Sequence, residues 1–255
     1  MLFSIITVTY NYLEGLKRTT ESVKNQTDTD YEWIIIDGNS QDGTVEYLNT
    51  LDAVITSEPD QGIYDAMNKG LTRATGEYVL FLNAGDSFYS PDTLESIKKV
   101  VKAAAKPIDF LYGDAYELDD DGTKHLKPAR SIKECKKGMI THHQAMLYRH
   151  ARLSRLVYDT KYRIAADYKF TCELIQRSKV IHYFKTPICC FEVGGISQRK
   201  TNLARKEQHM IRCEMGLTSF SMSVMIYYMQ VCTFVLRRIC PSFYWFLREN
   251  KRAKE

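Results

Sequence analysis

Apolar and polar positions along this chain alternate in blocks whose period switches from strand-like to helix-like and back. Phe3 to Val8 and Trp33 to Ile36 are short apolar, β-branched runs, as expected of strands buried on both faces. Between them Leu13, Leu16 and Val23 stand among polar residues over 13–25, an amphipathic helical pattern. Asp42-Gly43-Thr44 opens a helix over 45–51. A third strand follows at 53–56, a helix at 63–74 and a fourth strand at 78–82. Strands alternating with helices of this length predict parallel βαβ units. Residues 91–105 form a further helix, with Pro91 at its start and lysines toward its end, in keeping with the helix dipole.

After Lys106 the pattern changes. Phe110 to Tyr112 and the stretch around Tyr116 flank an acidic turn at 119–122, which predicts antiparallel additions to the sheet. A strand at 145–148, a helix at 166–177 and a strand at 180–184 follow. Beyond Gly194-Gly195 everything reads helical, so we place the domain boundary there: an α/β domain over 1–198 and a helical extension over 199–255.

At 255 residues the chain can bury a full core. A net charge of +4 is too mild to argue for nucleic acid as a partner, and no basic-aromatic recognition module is visible. The seven cysteines have no CxxC spacing, a scattered set that reads as reduced thiols and not a disulfide frame or zinc site. Phe3 to Val8 has the character of a strand without a basic leader or cleavage site, so the expectation is a cytoplasmic protein.

The chemistry concentrates at the ends of the parallel strands, where open α/β sheets bind their ligands. Ser57 to Gly70 joins an acidic, glycine-containing loop to a helix, and the apolar run 78–82 leads into Asn83-Ala84-Gly85-Asp86. Asp86 is suited to Mg²⁺ or Mn²⁺, with diphosphate oxygens filling other positions on the ion. An Asx turn is the plainer role for the same residue. Asp37 ends the second strand, where it can accept hydrogen bonds from a base or ribose or simply close its own turn. Thr9, Tyr10 and Asn11 end the first strand and share that crevice. Asp60, Tyr64, Asp65 and Lys69 follow in order. Asp60 can cap the next helix, and Asp65 can pair with Lys69 one turn on. Asp167 opens the helix at 166–177, as a general base or as an acid favoured by the dipole. His142 and His143 precede a strand and can serve acceptor or phosphate binding. No third ligand stands near them for zinc. Arg199 and Lys200 follow the glycine pair in a segment able to fold over a diphosphate. There is no Walker A run and no G-x-G-x-x-G, which removes the main support for P-loop and dinucleotide readings.

Together these pieces resemble the inverting family 2 glycosyltransferases of the GT-A fold, closest to the bacterial colanic-acid and O-antigen transferases. The resemblance is carried by Ile5 to Asn11, Trp33 to Thr44, Ser57 to Gly70, Phe81 to Asp86, His142 to Gln144, Ala166 to Tyr168 and Gly194 to Ser197, in order over about the first 200 residues. It implies a Rossmann-like, mostly parallel sheet flanked by helices, a nucleotide-sugar donor, a divalent metal (Mn²⁺ or Mg²⁺), and displacement with inversion at the anomeric carbon. By position, Thr7, Tyr10, Asn11 and Asp37 line the nucleoside pocket with Asp60 near it. Asp86 is the last acid of the DxD-type motif, and Asp167 is the base. Tyr64, Asp65, Lys69, Asn83, Ala84, Gly85 and Arg199 join the donor set, and His142 and His143 the acceptor side. One departure stands out: the earlier DxD acid is absent at the Asn83-Ala84 tip.

Residues 217–236 carry no charge, Arg237-Arg238 follow, and Phe243 to Leu247 lead into Arg248, Lys251, Arg252 and Lys254. About twenty uncharged residues approach the length of a membrane span, but Ser219, Ser221, Ser223, Gln230 and Thr233 dilute the segment. An aromatic helix beside basic residues fits one lying on the inner face of the cell membrane, attracted by anionic lipid. The alternatives are packing of a helical hairpin, including a homodimer interface, and a true span. The functional expectation is transfer to a hydroxyl of a lipid-linked glycan in bacterial surface polysaccharide biosynthesis. Against it stand a non-catalytic sugar-nucleotide-binding or assembly protein and a nucleotidyltransferase.

Overall fold

The computed structural model describes residues 1–119, 122–192 and 201–239, except the side chains of 237 and 238. The chain forms two compact units, Met1–Gly195 and Ile196–Glu255.

In the first unit the strands are β1 (Phe3–Thr9), β2 (Tyr31–Asp37), β3 (Val54–Ser57), β4 (Tyr78–Phe81), β5 (Ser87–Phe88), β6 (Phe110–Leu118), β7 (Lys124–Lys127), β8 (Met146–Arg149) and β9 (Ile181–Glu192). The helices are α1 (Leu13–Lys24), α2 (Thr44–Leu48), α3 (Ile63–Leu71), α4 (Thr93–Ala103) and α5 (Ala166–Arg177). One sheet runs in the order β3-β2-β1-β4-β8-β6-β9-β5, with β7 hairpinned onto β6. The first four strands of that order are mutually parallel. Thr9 pairs in register with Asp37, and Asp37 with Ser57, so their carboxyl ends form one edge. Strand β8 runs antiparallel to both β4 and β6, an antiparallel addition of the kind that the sequence predicts after Lys106.

The apolar runs behave as their composition requires. Ile5, Leu80, Leu111 and Leu147 are completely buried, together with Leu16 of α1 and Leu94 of α4. Strand β9 is longer than its apolar start at 180–184 suggests. Pro187 stands opposite Asp114 at an irregularity in the β6–β9 ladder, the kind of position where a strand tolerates proline. The strand then resumes through Cys189 and Cys190 alongside β5.

Asp109, just before β6, anchors the opposite edge of the sheet. It accepts hydrogen bonds from Arg152 Nε (2.8 Å), Lys179 N (2.8 Å) and Val180 N (3.2 Å). Burial pushes its carboxyl up, but these donors and the Arg152 charge outweigh burial and hold it at about 2. The folded value lies below that of an unfolded aspartate, so Asp109 stabilises the fold fully above about pH 4. That contribution falls to about half near pH 3 and is lost as pH drops through about 2. We expect Asp109→Asn to lower stability by about 2 kcal/mol at neutral pH and by clearly less near pH 3, measured by urea unfolding at both.

The second unit pairs α6 (Thr201–Glu214) with α7 (Phe220–Ile239). Ser223 Oγ lies 2.8 Å from His209 Nδ1 and accepts from Arg212 Nε at 3.1 Å, and Gln230 donates to Gln208 at 3.3 Å. Met222, Met225, Tyr228, Met229, Val235 and Ile239 of α7 are exposed. Among the described residues no helix is long and apolar enough to cross a membrane, which leaves the true-span alternative without support there.

Candidate active site

The carboxyl edge of β1–β4 collects most of the residues singled out by sequence, but not all in the roles expected. Thr7 and Asp37, expected at the pocket wall, are both fully buried. The Thr7 hydroxyl donates to Leu82 O (2.8 Å) and accepts from Trp33 Nε1 (3.0 Å). Asp37 accepts from Ser40 N (3.0 Å), Ser40 Oγ (2.5 Å) and Ser57 Oγ (2.6 Å). A carboxylate with three internal donors braces the β2 and β3 ends. Tyr10 and Asn11 do reach the surface, Tyr10 being 63% exposed. Asn11 Oδ1 accepts from Gln41 N at 2.8 Å, while its own N–H donates to Ser40.

Tyr10, Gly38 and Asp60 converge. A Cβ at Gly38 would lie 2.6 Å from Asp60 Oδ2 and 3.1 Å from the Tyr10 ring, so only glycine lets the ring and the carboxylate approach over the β2 end. Asp60 Oδ1 accepts from Gly62 N at 2.8 Å, and Asp65 Oδ2 from Gln61 N at 3.0 Å. Lys69 donates to Pro59 O (2.9 Å) and pairs with Glu58 (2.9 Å) and Asp65 (3.7 Å). Asp65 and Lys69 therefore stiffen the 57–62 loop. Tyr64 points elsewhere: its hydroxyl lies 2.7 Å from Ile164 O and 3.2 Å from Asp167 Oδ1.

At the 83–86 tip, Ala84 N donates to Val8 O (3.1 Å), Gly85 N to Thr19 Oγ1 (3.0 Å), and Thr19 Oγ1 in turn to Asp86 O (2.7 Å). Gly85 has φ +101°, a conformation that favours glycine. A Cβ there would meet Glu192 Oε2 at 2.3 Å. Asp86 is 4% exposed, not displayed at an open tip as its position after β4 suggested. Its Oδ2 accepts from Gln144 Nε2 (2.7 Å) and its Oδ1 from Glu192 N (3.1 Å). Burial pushes its carboxyl up to about 7, with these two hydrogen bonds only partly offsetting it.

Gln144 and Glu192 are the neighbours that sequence reasoning did not assign. The Glu192 carboxylate is held in turn by Tyr12 Oη (2.5 Å) and Arg18 (2.6 Å). Nothing in the spacing of Glu192 announces this. For Gln144, its place directly after the histidine pair was the available signal.

The two histidines part company. His143 is buried, with Nε2 2.7 Å from Tyr158 Oη and its ring 4.8 Å from that of Phe81. Burial pushes it down to about 3, so it is a neutral core group, in contrast to the acceptor-facing role expected. His142 stacks on Phe191 at 4.1 Å and sets its Nε2 3.0 Å from Glu117 Oε1. Asp167 lies in the first turn of α5, where Tyr168 N donates to its Oδ1 at 2.8 Å. Arg199 and the Gly194-Gly195 segment lie outside the described residues.

The donor set at the tip suits a hard divalent cation, if sparsely. Among the described residues each Asp86 oxygen accepts one hydrogen bond and keeps a further lone pair, and Asn83 Oδ1 is a buried acceptor with no partner. Among the described residues no three His, Cys, Asp or Glu side chains group as metal ligands. One carboxylate together with phosphate oxygens is a sufficient set for Mg²⁺ or Mn²⁺.

Comparison with known proteins identifies the family and the fold. A family profile described as Glycosyl transferase family 2 matches residues 4–184. The chain is 32% identical over 217 residues to a PGL/p-HBAD biosynthesis glycosyltransferase of Mycobacterium tuberculosis, covering 77% of this chain and 79% of that protein. An uncharacterized glycosyltransferase of Methanocaldococcus jannaschii is 31% identical over 184 residues, covering 66% of this chain and 63% of its own. Among solved structures, S. aureus TarS 1-349 in complex with UDP-GlcNAc superposes with a TM-score of 0.69 at 18% identity, over 89% of this chain and 70% of that one. The mannosyltransferase PcManGT from Pyrobaculum calidifontis, in complex with GDP-Man and Mn²⁺, gives 0.66 at 14% identity, over 98% of this chain and 79% of its own. At those identities the likeness is one of fold.

Proposed function

Because this chain belongs to glycosyl transferase family 2, we propose that it moves a sugar from a nucleoside-diphosphate donor to a hydroxyl of a lipid-linked glycan, with inversion. The observation that carries the reading is the approach of Tyr64 to Asp167. It joins the helix after the donor loop to an acid 103 residues downstream. The acceptor oxygen attacks the anomeric carbon as the bond to the β-phosphate oxygen breaks. The nucleoside diphosphate leaves with that electron pair, and the hydroxyl proton passes to the Asp167 carboxylate. A carboxylate is basic enough because the hydroxyl turns acidic only in the transition state.

Tyr10 and Asp60 bind the nucleoside, Tyr10 offering a ring face and Asp60 an acceptor for a base N–H. Asp86, with Asn83 beside it, would hold Mn²⁺ or Mg²⁺ at the diphosphate. The ion, when bound, supplies positive charge to the leaving group. Support for a nucleotide sugar comes from the donors carried by the TarS and PcManGT complexes. For the acceptor, the mycobacterial relative named for PGL/p-HBAD biosynthesis is the nearest support among the comparisons reported above.

A panel of nucleotide sugars with Mn²⁺ tests the reading. We expect one donor to release its nucleotide, faster when a lipid-linked glycan is added. No release from any donor would favour a protein that binds sugar nucleotides without turning them over.

The exposed apolar residues of α7, and the basic residues that follow it in sequence, support residence on the cytoplasmic face of an anionic membrane. Deleting everything after Gly216 is expected to move the protein from the membrane fraction to the supernatant. If the full chain is instead a dimer that the deletion dissociates, with unaltered partitioning, the face is a subunit interface.

A further inference from the structure

Tyr64 occupies a junction that donor binding does not explain. It lies in the first turn of α3, is 8% exposed, and stacks on Tyr158 with ring centroids 5.6 Å apart at 18°. Its hydroxyl carries one proton and faces two acceptors, Ile164 O at 2.7 Å and Asp167 Oδ1 at 3.2 Å. Ile164 immediately precedes Ala165, the N-cap of α5, so both acceptors belong to the entry of the helix that carries Asp167. Tyr168 N donates to the same Oδ1 at 2.8 Å. Two donors, one local and one from α3, thus converge on the same carboxylate oxygen.

Helix α3 is clamped to the same region a second time. Asn68 Nδ2 donates to Tyr158 O at 2.9 Å, and Asn68 Oδ1 accepts from Tyr158 N at 2.7 Å. The surface that α3 offers the 158–167 segment is therefore a rigid one, with the Tyr64 hydroxyl at its end.

We propose that Tyr64 is a positioning residue for the base: its hydroxyl aims the Asp167 carboxylate and fixes the entry of α5, and it takes no part in holding the donor. The inference rests on Asp167 being the base. The shared proton suits the reaction. While Asp167 is ionised, its oxygen is the stronger acceptor. Once it has taken the proton of the acceptor hydroxyl, the Tyr64 proton turns toward Ile164 O. Tyr64 itself gains and loses no proton, and the carboxyl group stays aimed in both states.

A four-protein cycle of the full-length chain, Tyr64→Phe, Asp167→Asn and the double variant tests this, with kcat and donor KM measured for each. Phenylalanine keeps the ring and its stacking, and nucleotide titration without acceptor confirms that each variant retains its donor site. We expect Tyr64→Phe to lower kcat about tenfold with donor KM unchanged, since a misaimed base costs rate and not affinity. In the Asp167→Asn background the same change is expected to cost less than about twofold, because residues acting through one group are not additive. A raised donor KM with kcat retained would return Tyr64 to the donor site and overturn the proposal. Losses that multiply in the double variant would overturn it as well, by making Tyr64 independent of Asp167. Full turnover by Asp167→Asn alone marks a different failure, that of the base assignment on which the inference stands.

Discussion

Replacing Asp167 by asparagine is expected to lower kcat for sugar transfer by about a thousandfold and to leave donor affinity where it was. The magnitude is what a positioned general base typically supplies. Asparagine is the informative replacement, because its Oδ1 can still accept from Tyr64 Oη and Tyr168 N, the two donors that hold the native oxygen. The entry of α5 is then undisturbed, and the loss is that of a group able to take a proton. A competing role makes a different prediction. An acid in the first turn of a helix is stabilised by the backbone dipole by about 0.3–1 kcal/mol whether or not it does chemistry. If that were all, Asp167→Asn would lower Tm slightly and leave kcat intact. Nucleotide release with acceptor present, paired with calorimetric titration of the nucleotide, separates the two. Full turnover would remove Asp167 from the chemistry.

The parallel half of the sheet was legible because its strands are buried on both faces, which leaves unbroken β-branched runs such as Ile34 to Ile36. The other half was harder. Strand β9 pairs with β6 across an irregularity at Pro187, and no local periodicity records a partner some seventy residues away. Within the site, residue type and place at a strand end were readable, but the direction of a side chain was not. Asp37 ends β2 and Asp60 stands three residues past the end of β3. One is enclosed by Ser40 and Ser57, and the other meets Tyr10 over Gly38. His142 and His143 are neighbours in sequence, yet the single 3₁₀ turn at His143–Ala145 sends one ring onto Phe191 and the other into the core against Phe81. Glu192 left no mark in the sequence, since its contacts with Gly85 and Asp86 are made by a strand more than a hundred residues later.

Asp86→Ala is expected to raise the Mn²⁺ concentration needed for half-maximal transfer at least about tenfold and to lower kcat/KM about a hundredfold. The 83–86 segment has no second acid, Asn83 standing where one would help, and the nearby Glu192 carboxylate is paired with Arg18 at 2.6 Å, so we expect a cation there to rest chiefly on Asp86 and the donor's diphosphate. Part of the loss from alanine is structural, because it leaves Gln144 Nε2 and Glu192 N without their acceptor in a buried place, at a cost of about 1–3 kcal/mol for each unpaired group. Asp86→Asn divides the two contributions. Its amide oxygen can still accept from one of these donors, so a residue that merely braces the tip is largely replaced by asparagine. A metal ligand is not, because the carboxylate charge is gone. We therefore expect asparagine to recover most of the thermal stability lost in alanine and little of the Mn²⁺ affinity, measured by titrating Mn²⁺ into the protein–nucleotide complex. An unchanged Mn²⁺ titration in both variants would leave the ion, if bound at all, to the diphosphate alone, and would make Asp86 the buried keystone of the β4 turn that its hydrogen bonds to Gln144 and Glu192 already describe.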